Sequence, residues 1–330
     1  YPYGFNRSSI QMYRHAVSNN SEIFTRLQKL VGFDTLLFNQ PLCARGVLKS
    51  PAAKEVRKTY SFISPWAGEW EVANPQAGFM KRAIHMGVRN RLEEGALAAC
   101  GTIFVVSRYM HERLKSFHPS VPETKIHPMP GGVDLKFFSP EGSMAESRKT
   151  LGLPETGRLL VTVRRHVPRM GIGNLITAMT RIVEHVPEVT LAIGGDGPLR
   201  AELEKQAEPL KSHIRFLGYV PDEKLPTLYR AADLFVLPTL DLEGFGLVAV
   251  EAMACGTPVM GTPVGAIPEI LEPFDRGMLF KGTEPAAIAD GVIRFLEGGN
   301  REALRRRCRE YVAAHYDWEG IVDRAEKVLQ

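Results

Sequence analysis

Apolar and polar positions along the chain switch between two rhythms, an alternation or short apolar run typical of strands and a three-to-four spacing typical of amphipathic helices. The first block predicts a helix from about Ser9 to Leu30, leading through Gly32 into the strand TLLFN, Thr35 to Asn39. A second strand, about Thr59 to Ile63, opens into a predicted loop carrying Pro65, Trp66, Glu69 and Trp70. FMKRAIHMGVRNRLEEGALAAC then reads as one long helix, followed by the strand TIFVVS to Ser107 and a helix from about Tyr109. IHPMPGGVDLKFFSP gives a strand, a glycine turn at Gly131 and Gly132 and an exit toward Pro140, and the polar stretch SPEGSMAESRKTLGLPETG reads as an interdomain linker.

Beyond it the rhythm is regular. RLLVTV, VTLAIGG, HIRFLG and LFVLP alternate with helices at about Gly173 to His185, Leu199 to Glu208 and a short one ending at Ala232. Three further helices, at about Pro285 to Leu296, Arg301 to His315 and Trp318 to Leu329, close the chain. Alternation of this kind predicts an α/β fold with parallel sheets, helices on both faces and ligands at the carboxyl ends of the strands.

Composition changes this picture little. The 330 residues fit about two domains, and 44% apolar with 24% charged residues is ordinary for a globular chain. The longest apolar runs are too short for a bilayer and YPYGFNRSSI has neither the apolar stretch nor the cleavage pattern of a signal peptide, so a cytoplasmic protein is expected. Cys43, Cys100, Cys255 and Cys308 lack metal or disulfide spacing and read as small core residues. The formal charge of +4 is no argument for nucleic acid but suits anionic ligands. Lys81, Arg82, Arg89 and Arg91 make the long helix a candidate for an anionic membrane surface, whereas Glu93 and Glu94 directly after them favour a solvated face.

The chemistry concentrates in EGFGLVAVE, Glu243 to Glu251. Gly244 and Gly246 let the backbone bend, and LVAVEAMA starts a helix whose first N–H groups lack intrahelical acceptors and attract phosphate. Glu243 before the helix and Glu251 two turns on can meet the two ends of an elongated polar ligand such as a sugar nucleotide. The plainer alternative makes Glu243 a helix cap, Glu251 the partner of a nearby cation and the glycines a simple turn. PVMGTPVGAIPEI adds a strand, a glycine turn and Glu269 facing the same crevice.

Two other strand ends carry candidate ligands. RLLVTVRRHVPRMG brings Arg164, Arg165 and Arg169 into a loop, where a guanidinium can grip phosphate oxygens, while a surface role stays open for Arg164 and Arg169. AIGGDGPLR places Gly194, Gly195 and Gly197 in a close turn, with Asp196 a candidate cap and Pro198 a helix start; it is not GxGxxG, which weakens a dehydrogenase reading. Trp66 and Trp70 can stack on an acceptor sugar or simply pack on their own domain. No DxD-type or His/Cys cluster suggests a metal, and no cofactor is expected.

LFVLPTLDLEGFGLVAVEAMACGTPVMGTPVGAIPEIL resembles the nucleotide-sugar half of the family 4 retaining glycosyltransferases, also known as glycosyltransferase group 1. The resemblance implies the GT-B fold, two Rossmann-like, doubly wound parallel-sheet domains facing a crevice. It implies an acceptor-side domain over residues 1–140 that lacks its N-terminal part, a nucleotide-sugar domain over 141–315 and a C-terminal helix, 316–330, crossing back to the first domain. It implies that Glu243 contacts the transferred sugar, Glu251 binds the ribose, and amides around Phe245, Gly246, Leu247 and Val248 hold the diphosphate. Arg165 matches the family's usual arginine, Arg169 is the substitute for a missing lysine at Met170, Gly195 lies beside the nucleotide and Gly218 and Tyr219 pass along the base. Ile63 stands where relatives carry a histidine, and Trp66 and Glu69 fall on the acceptor side. The implied activity is metal-independent, retaining transfer of a hexose from a UDP- or GDP-sugar to a saccharide or lipid-linked acceptor, with peripheral contact at the inner face of a membrane among the expectations. A nucleotide-sugar-binding protein without turnover is the alternative, and a nucleotide-sugar epimerase a third.

Overall fold

A computed structural model describes residues 9–298 and 301–330. The chain divides into two units, residues 1–129 with 327–330, and residues 130–326.

The first unit is a four-stranded parallel sheet in the order β1-β2-β3-β4, where β1 is Thr35–Phe38, β2 Arg57–Phe62, β3 Thr102–Val105 and β4 Ile126–Pro128. Its central strands are buried on both faces, which explains the uninterrupted apolar run of TIFV. The long helix runs from Phe79 to Ala99. The stretch expected as a loop is instead a helix, Trp66–Ala73, so Trp66, Glu69 and Trp70 all lie on it. Pro65 is the N-cap residue of this helix, its carbonyl accepts the Glu69 N–H at 2.9 Å, and the Glu69 carboxylate in the first turn suits the positive helix end. Glu93, read as a solvating charge, is buried: it accepts from the Trp66 N–H at 3.1 Å and the Tyr60 hydroxyl at 3.3 Å and pairs with His118 at 3.1 Å. Burial, and next the Glu93 carboxylate, push the Tyr60 hydroxyl well above its ordinary range.

The second unit is a five-stranded parallel sheet ordered β7-β6-β5-β8-β9, with β5 Arg158–Val163, β6 Val189–Gly194, β7 Ile214–Gly218, β8 Leu234–Leu237 and β9 Val259–Gly261. The order reverses between β5 and β8, and at such a switch point the carboxyl ends of neighbouring strands part to leave a crevice. Helices Ile172–His185, Leu225–Ala231, Leu247–Ala254 and Pro285–Glu297 turn apolar faces to buried positions.

Gly131 and Gly132 do not form the expected turn, and neither has a positive φ. They are small because neighbours approach: a Cβ at Gly131 would fall 2.7 Å from Phe245 Cε1 and 2.8 Å from Leu247 Cδ2, and one at Gly132 would strike Trp318 and Ile321. Val133 beside them bridges to Asp317, with its N–H 2.9 Å from the Tyr316 carbonyl.

Candidate active site

The site candidates of the second unit gather at the carboxyl ends of β5, β6, β7 and β8. Glu243 lies six residues beyond β8 and is buried. Its Oε2 accepts from the Thr239 hydroxyl at 3.0 Å and from Arg164 Nη2 in a short ion pair. The carboxylate therefore does not cap the helix, and the N-cap position belongs to Gly246, whose φ of 100° a side chain rarely adopts. Leu247–Ala254 is eight residues long, and Ala249 N–H turns back to the Gly246 carbonyl at 2.8 Å. The N–H groups of Leu247 and Val248 point from the open, positive end of the helix.

Glu251, one turn into that helix, accepts from the Tyr229 hydroxyl at 2.8 Å, so its partner is a phenol rather than the cation of the plainer reading. Burial raises its pKa above the ordinary carboxylate value, with the Tyr229 hydrogen bond pulling the other way. Phe245 is buried with its ring 5.6 Å from Tyr316, so this residue offers the site its backbone rather than its side chain.

Of the three arginines after β5, Arg164 rather than Arg165 is turned inward. Its guanidinium is 2.7 Å from Met170 Sδ and 3.3 Å from Thr239 Oγ1 in addition to Glu243, and the surface role left open for it is excluded by its burial. Among the described residues, its Nε has no hydrogen-bond partner. Arg165 is exposed. Arg169 sits on a short turn, Pro168–Met170, and donates to the Leu242 carbonyl at 2.9 Å, while its own carbonyl accepts from Leu240 at 2.8 Å. Leu242 has a φ of 52°, sparse territory for a branched apolar residue, and the Arg169 bond helps hold it there.

Gly195 and Gly218 are joined by an N–H···O bond of 2.7 Å, and Tyr219 beside them is 74% exposed. Asp196 does not cap the next helix: its carboxylate accepts from its neighbour Gly197 at 2.7 Å, and the helix begins only at Arg200. In the first unit, the Trp66 ring has the Arg89 guanidinium 5.2 Å from its centre, and Glu69 accepts from Ser64 at 2.9 Å. Ile63 is 43% exposed just beyond β2. Among the described residues no group of three or more His, Cys, Asp or Glu is placed to hold a metal ion.

A family model described as glycosyl transferases group 1 matches residues 143–315. The chain belongs to this family. A GDP-mannose-dependent monoacylated alpha-(1-6)-phosphatidylinositol monomannoside mannosyltransferase of Corynebacterium glutamicum is 33% identical over 234 residues, 68% of this chain and 61% of that protein. A phosphatidyl-myo-inositol mannosyltransferase of Mycobacterium tuberculosis is 34% identical over 61% of this chain and 53% of its own length. The match thus spans little more than half the length of these curated relatives. Among solved structures, a sucrose-phosphate synthase of Thermosynechococcus elongatus superposes with a TM-score of 0.81 at 24% identity, over 98% of this chain and 79% of that one. HepE of Anabaena, in complex with UDP and glucose, superposes with a TM-score of 0.76 at 20% identity, over 94% and 80%. These likenesses give the fold: two parallel-sheet α/β units of the GT-B type.

For this group 1 chain, sequence reasoning missed four polar residues of the site. Thr239 and Tyr229 each hold one glutamate. His166 and Thr162 are fully buried, and among the described residues both His166 ring nitrogens and Thr162 Oγ1 lack partners. Burial, then the Arg200 guanidinium, lowers the His166 pKa, and Phe216 packs edge-on at 6.2 Å. One signal was available: Thr162, Arg164 and His166 are spaced by two, so a strand continuing past Val163 sends all three to one side.

Proposed function

We propose that the chain is a nucleotide-sugar-dependent glycosyltransferase that moves a hexose, with retention of anomeric configuration and without a metal ion, to a saccharide or lipid-linked acceptor. The observation that carries this reading is a pair of glutamates, Glu243 buried and Glu251 half-buried, at one open helix end: Glu243 held by Arg164 and Thr239, Glu251 held by Tyr229, with the Leu247 and Val248 amides between them. A nucleoside diphosphate sugar needs carboxylates at its hydroxyl-bearing ends and positive charge at its centre. Glu251 is assigned to the ribose, the helix amides to the diphosphate, and Glu243 to the sugar hydroxyls. The relatives whose names specify a donor use GDP-mannose, which makes it the first donor to try. Residues 141–315 are assigned to the donor and residues 1–140, with Trp66 and Glu69, to the acceptor.

Transfer requires the departing phosphate charge to be stabilised while the sugar carbon becomes cationic. Arg165 and Arg169 are the cations assigned to that charge. A charge-assisted hydrogen bond contributes about 1.5–3 kcal/mol and a helix terminus about 0.3–1 kcal/mol, against the roughly 8–23 kcal/mol of enzymic acceleration. Orientation of the acceptor therefore supplies much of the remainder. Donor and acceptor meet in the cytoplasm on this reading.

The test is a thermal-shift screen against GDP, UDP, GDP-mannose and UDP-glucose, followed by mass-spectrometric product analysis with and without a chelator. Stabilisation by one nucleotide, lost in Glu251→Ala, with a glycoside product that survives chelation, supports the proposal. Donor binding without product, with saccharide and lipid-linked acceptors supplied, assigns a binding protein, and conversion of the donor with no acceptor present assigns an epimerase.

A further inference from the structure

Glu243 spends only one of its two carboxylate oxygens on the protein. Both of its donors, Arg164 Nη2 and the Thr239 hydroxyl, converge on Oε2. Among the described residues Oε1 has no donor, and it is not one of the buried polar atoms left without a partner, so it stays open to solvent. Neighbouring strand ends build this asymmetry. Arg164 is the first residue past β5, Thr239 the second past β8 and Glu243 the sixth. Beyond β9, the Thr262 hydroxyl donates to the Thr239 carbonyl at 2.6 Å and the Ala266 N–H to the Glu243 carbonyl at 3.0 Å, which fixes the backbone at both positions. Gly171 packs so closely on Pro238 that a Cβ would strike its carbonyl oxygen, and the adjoining Met170 places its Sδ 2.7 Å from Arg164 Nη2.

Fixing Oε2 decides what Oε1 can do. The last torsion of a glutamate is broad, so an unheld carboxylate sweeps its oxygens through many directions. Two donors on one oxygen, one of them a rigid planar guanidinium, stop that rotation before a ligand arrives and so lower the ordering cost of binding. Arg164 is not itself placed to grip a phosphate. Its side chain is buried, its Nη2 is shared among Met170, Thr239 and Glu243, and its Nε is sealed from solvent. Any effect of Arg164 on a ligand therefore passes through Glu243.

On the assignment of Glu243 to the donor sugar, we propose that Arg164 is a positioning residue for the transferred hexose: with Thr239 it turns Glu243 so that Oε2 stays with the protein and Oε1 is offered to a sugar hydroxyl. Arg164 then governs how the sugar is held and leaves the nucleotide untouched.

The experiment is isothermal titration calorimetry of the whole chain with GDP, GDP-mannose, UDP and UDP-glucose, which gives, for the base that binds, the ratio of the nucleotide Kd to the nucleotide-sugar Kd. Arg164→Lys keeps a counter-ion for Glu243 but loses the planar fork, so the nucleotide Kd should stay within about twofold while the ratio falls about tenfold, the lower worth of a hydrogen bond to a charged group. Glu243→Gln should lower the ratio by a similar factor, and adding Arg164→Lys to it should change the ratio by less than about twofold, because the two residues act as one. Thr239→Val removes a donor from Oε2 without touching the ion pair and should lower the ratio about threefold, a second reading of the same effect if melting curves show that Arg164→Lys does not fold. A ratio lost in Glu243→Gln but kept in both Arg164→Lys and Thr239→Val would overturn the positioning role alone, as would nucleotide and nucleotide-sugar affinities that fall together in Arg164→Lys. A ratio unchanged in Glu243→Gln, or no binding of any of the four probes by the wild type, would overturn the assignment of Glu243 to the donor sugar and the positioning role with it.

Discussion

Replacing Arg164 by methionine should destabilise the second unit more than any exposed arginine could. The side chain is buried, and its Nη2 pairs with a carboxylate that is itself buried and, among the described residues, otherwise receives only the Thr239 hydroxyl at 3.0 Å. Methionine keeps much of the volume but leaves Glu243 as a buried charge without its counter-ion, a change that costs about 3–5 kcal/mol. For a unit of this size each kcal/mol moves the melting midpoint by about 2–4 °C, so the loss should be about 6–20 °C. Arg164→Met with Glu243→Leu removes both charges together and should recover most of that loss, because a buried pair replaced by apolar residues is often neutral in stability. Arg165→Met, at an exposed position, should stay within about 0.5 kcal/mol. Circular-dichroism melts of the wild type, Arg164→Met, Glu243→Leu and the double variant complete a double-mutant cycle, with Arg165→Met as the control. A single variant melting with the wild type, or a double variant no better than the single one, would refute the claim that the pair is interdependent.

Other consequences follow from neighbouring geometry. Burial raises the Glu251 pKa in the folded state above the unfolded value, so its contribution to stability is full below the ordinary carboxylate range and is lost as pH rises through the folded value. Glu251→Gln removes that loss, and urea unfolding should show the variant gaining on the wild type as the pH rises above the ordinary carboxylate range; a gap that stays constant contradicts it. Gly265 has a φ of 59°, and a Cβ there would run into the Glu243 backbone, so Gly265→Ala should cost about 1–3 kcal/mol in chemical denaturation. Burial pushes the thiols of Cys100, Cys255 and Cys308 up to about 12, whereas Cys43 is partly exposed. A thiol reagent at neutral pH should therefore label Cys43 alone in the native chain and all four cysteines after unfolding, as intact-mass analysis would show.

The elements of the second unit were legible because each strand is a short apolar run bounded by glycine, proline or charge, and each helix keeps one apolar face. The errors fell where a local signal had two explanations. Gly131 and Gly132 look like a turn because glycine usually marks one, yet here they make room for Phe245, Leu247 and Trp318, contacts more than a hundred residues away in the chain. SPWAGEWEVA looks like a loop because of its proline and glycine. In the fold Gly68 lies inside the Trp66–Ala73 helix, where a Cβ would come within 2.9 Å of Pro65 and 3.3 Å of Phe117. Glu93 looked solvated because a carboxylate usually is, and only tertiary structure brings it to Tyr60, Trp66 and His118.

The motif around Glu243 pointed to a candidate site but could not say what holds its carboxylates. The choice between Arg164 and Arg165 shows why. Adjacent residues on an extended chain point to opposite sides, so one register step decides which guanidinium reaches Glu243. A sheet covered on both faces hides that step, because β5 is buried almost throughout and its apolar pattern carries no alternation. Alternation returns only past the strand end, where Thr162, Arg164 and His166 are buried while Arg165 is exposed. A pattern comparison pairs Arg165 with the family's arginine, and nothing in that pairing accounts for a second arginine one place earlier. Folding accounts for it: the position before Arg165 faces Met170, Thr239 and Glu243, and a cation there leaves the buried carboxylate paired before any ligand arrives. Two neighbouring arginines can then divide the work, one fixed to the protein's own glutamate and the other left exposed for an anionic ligand.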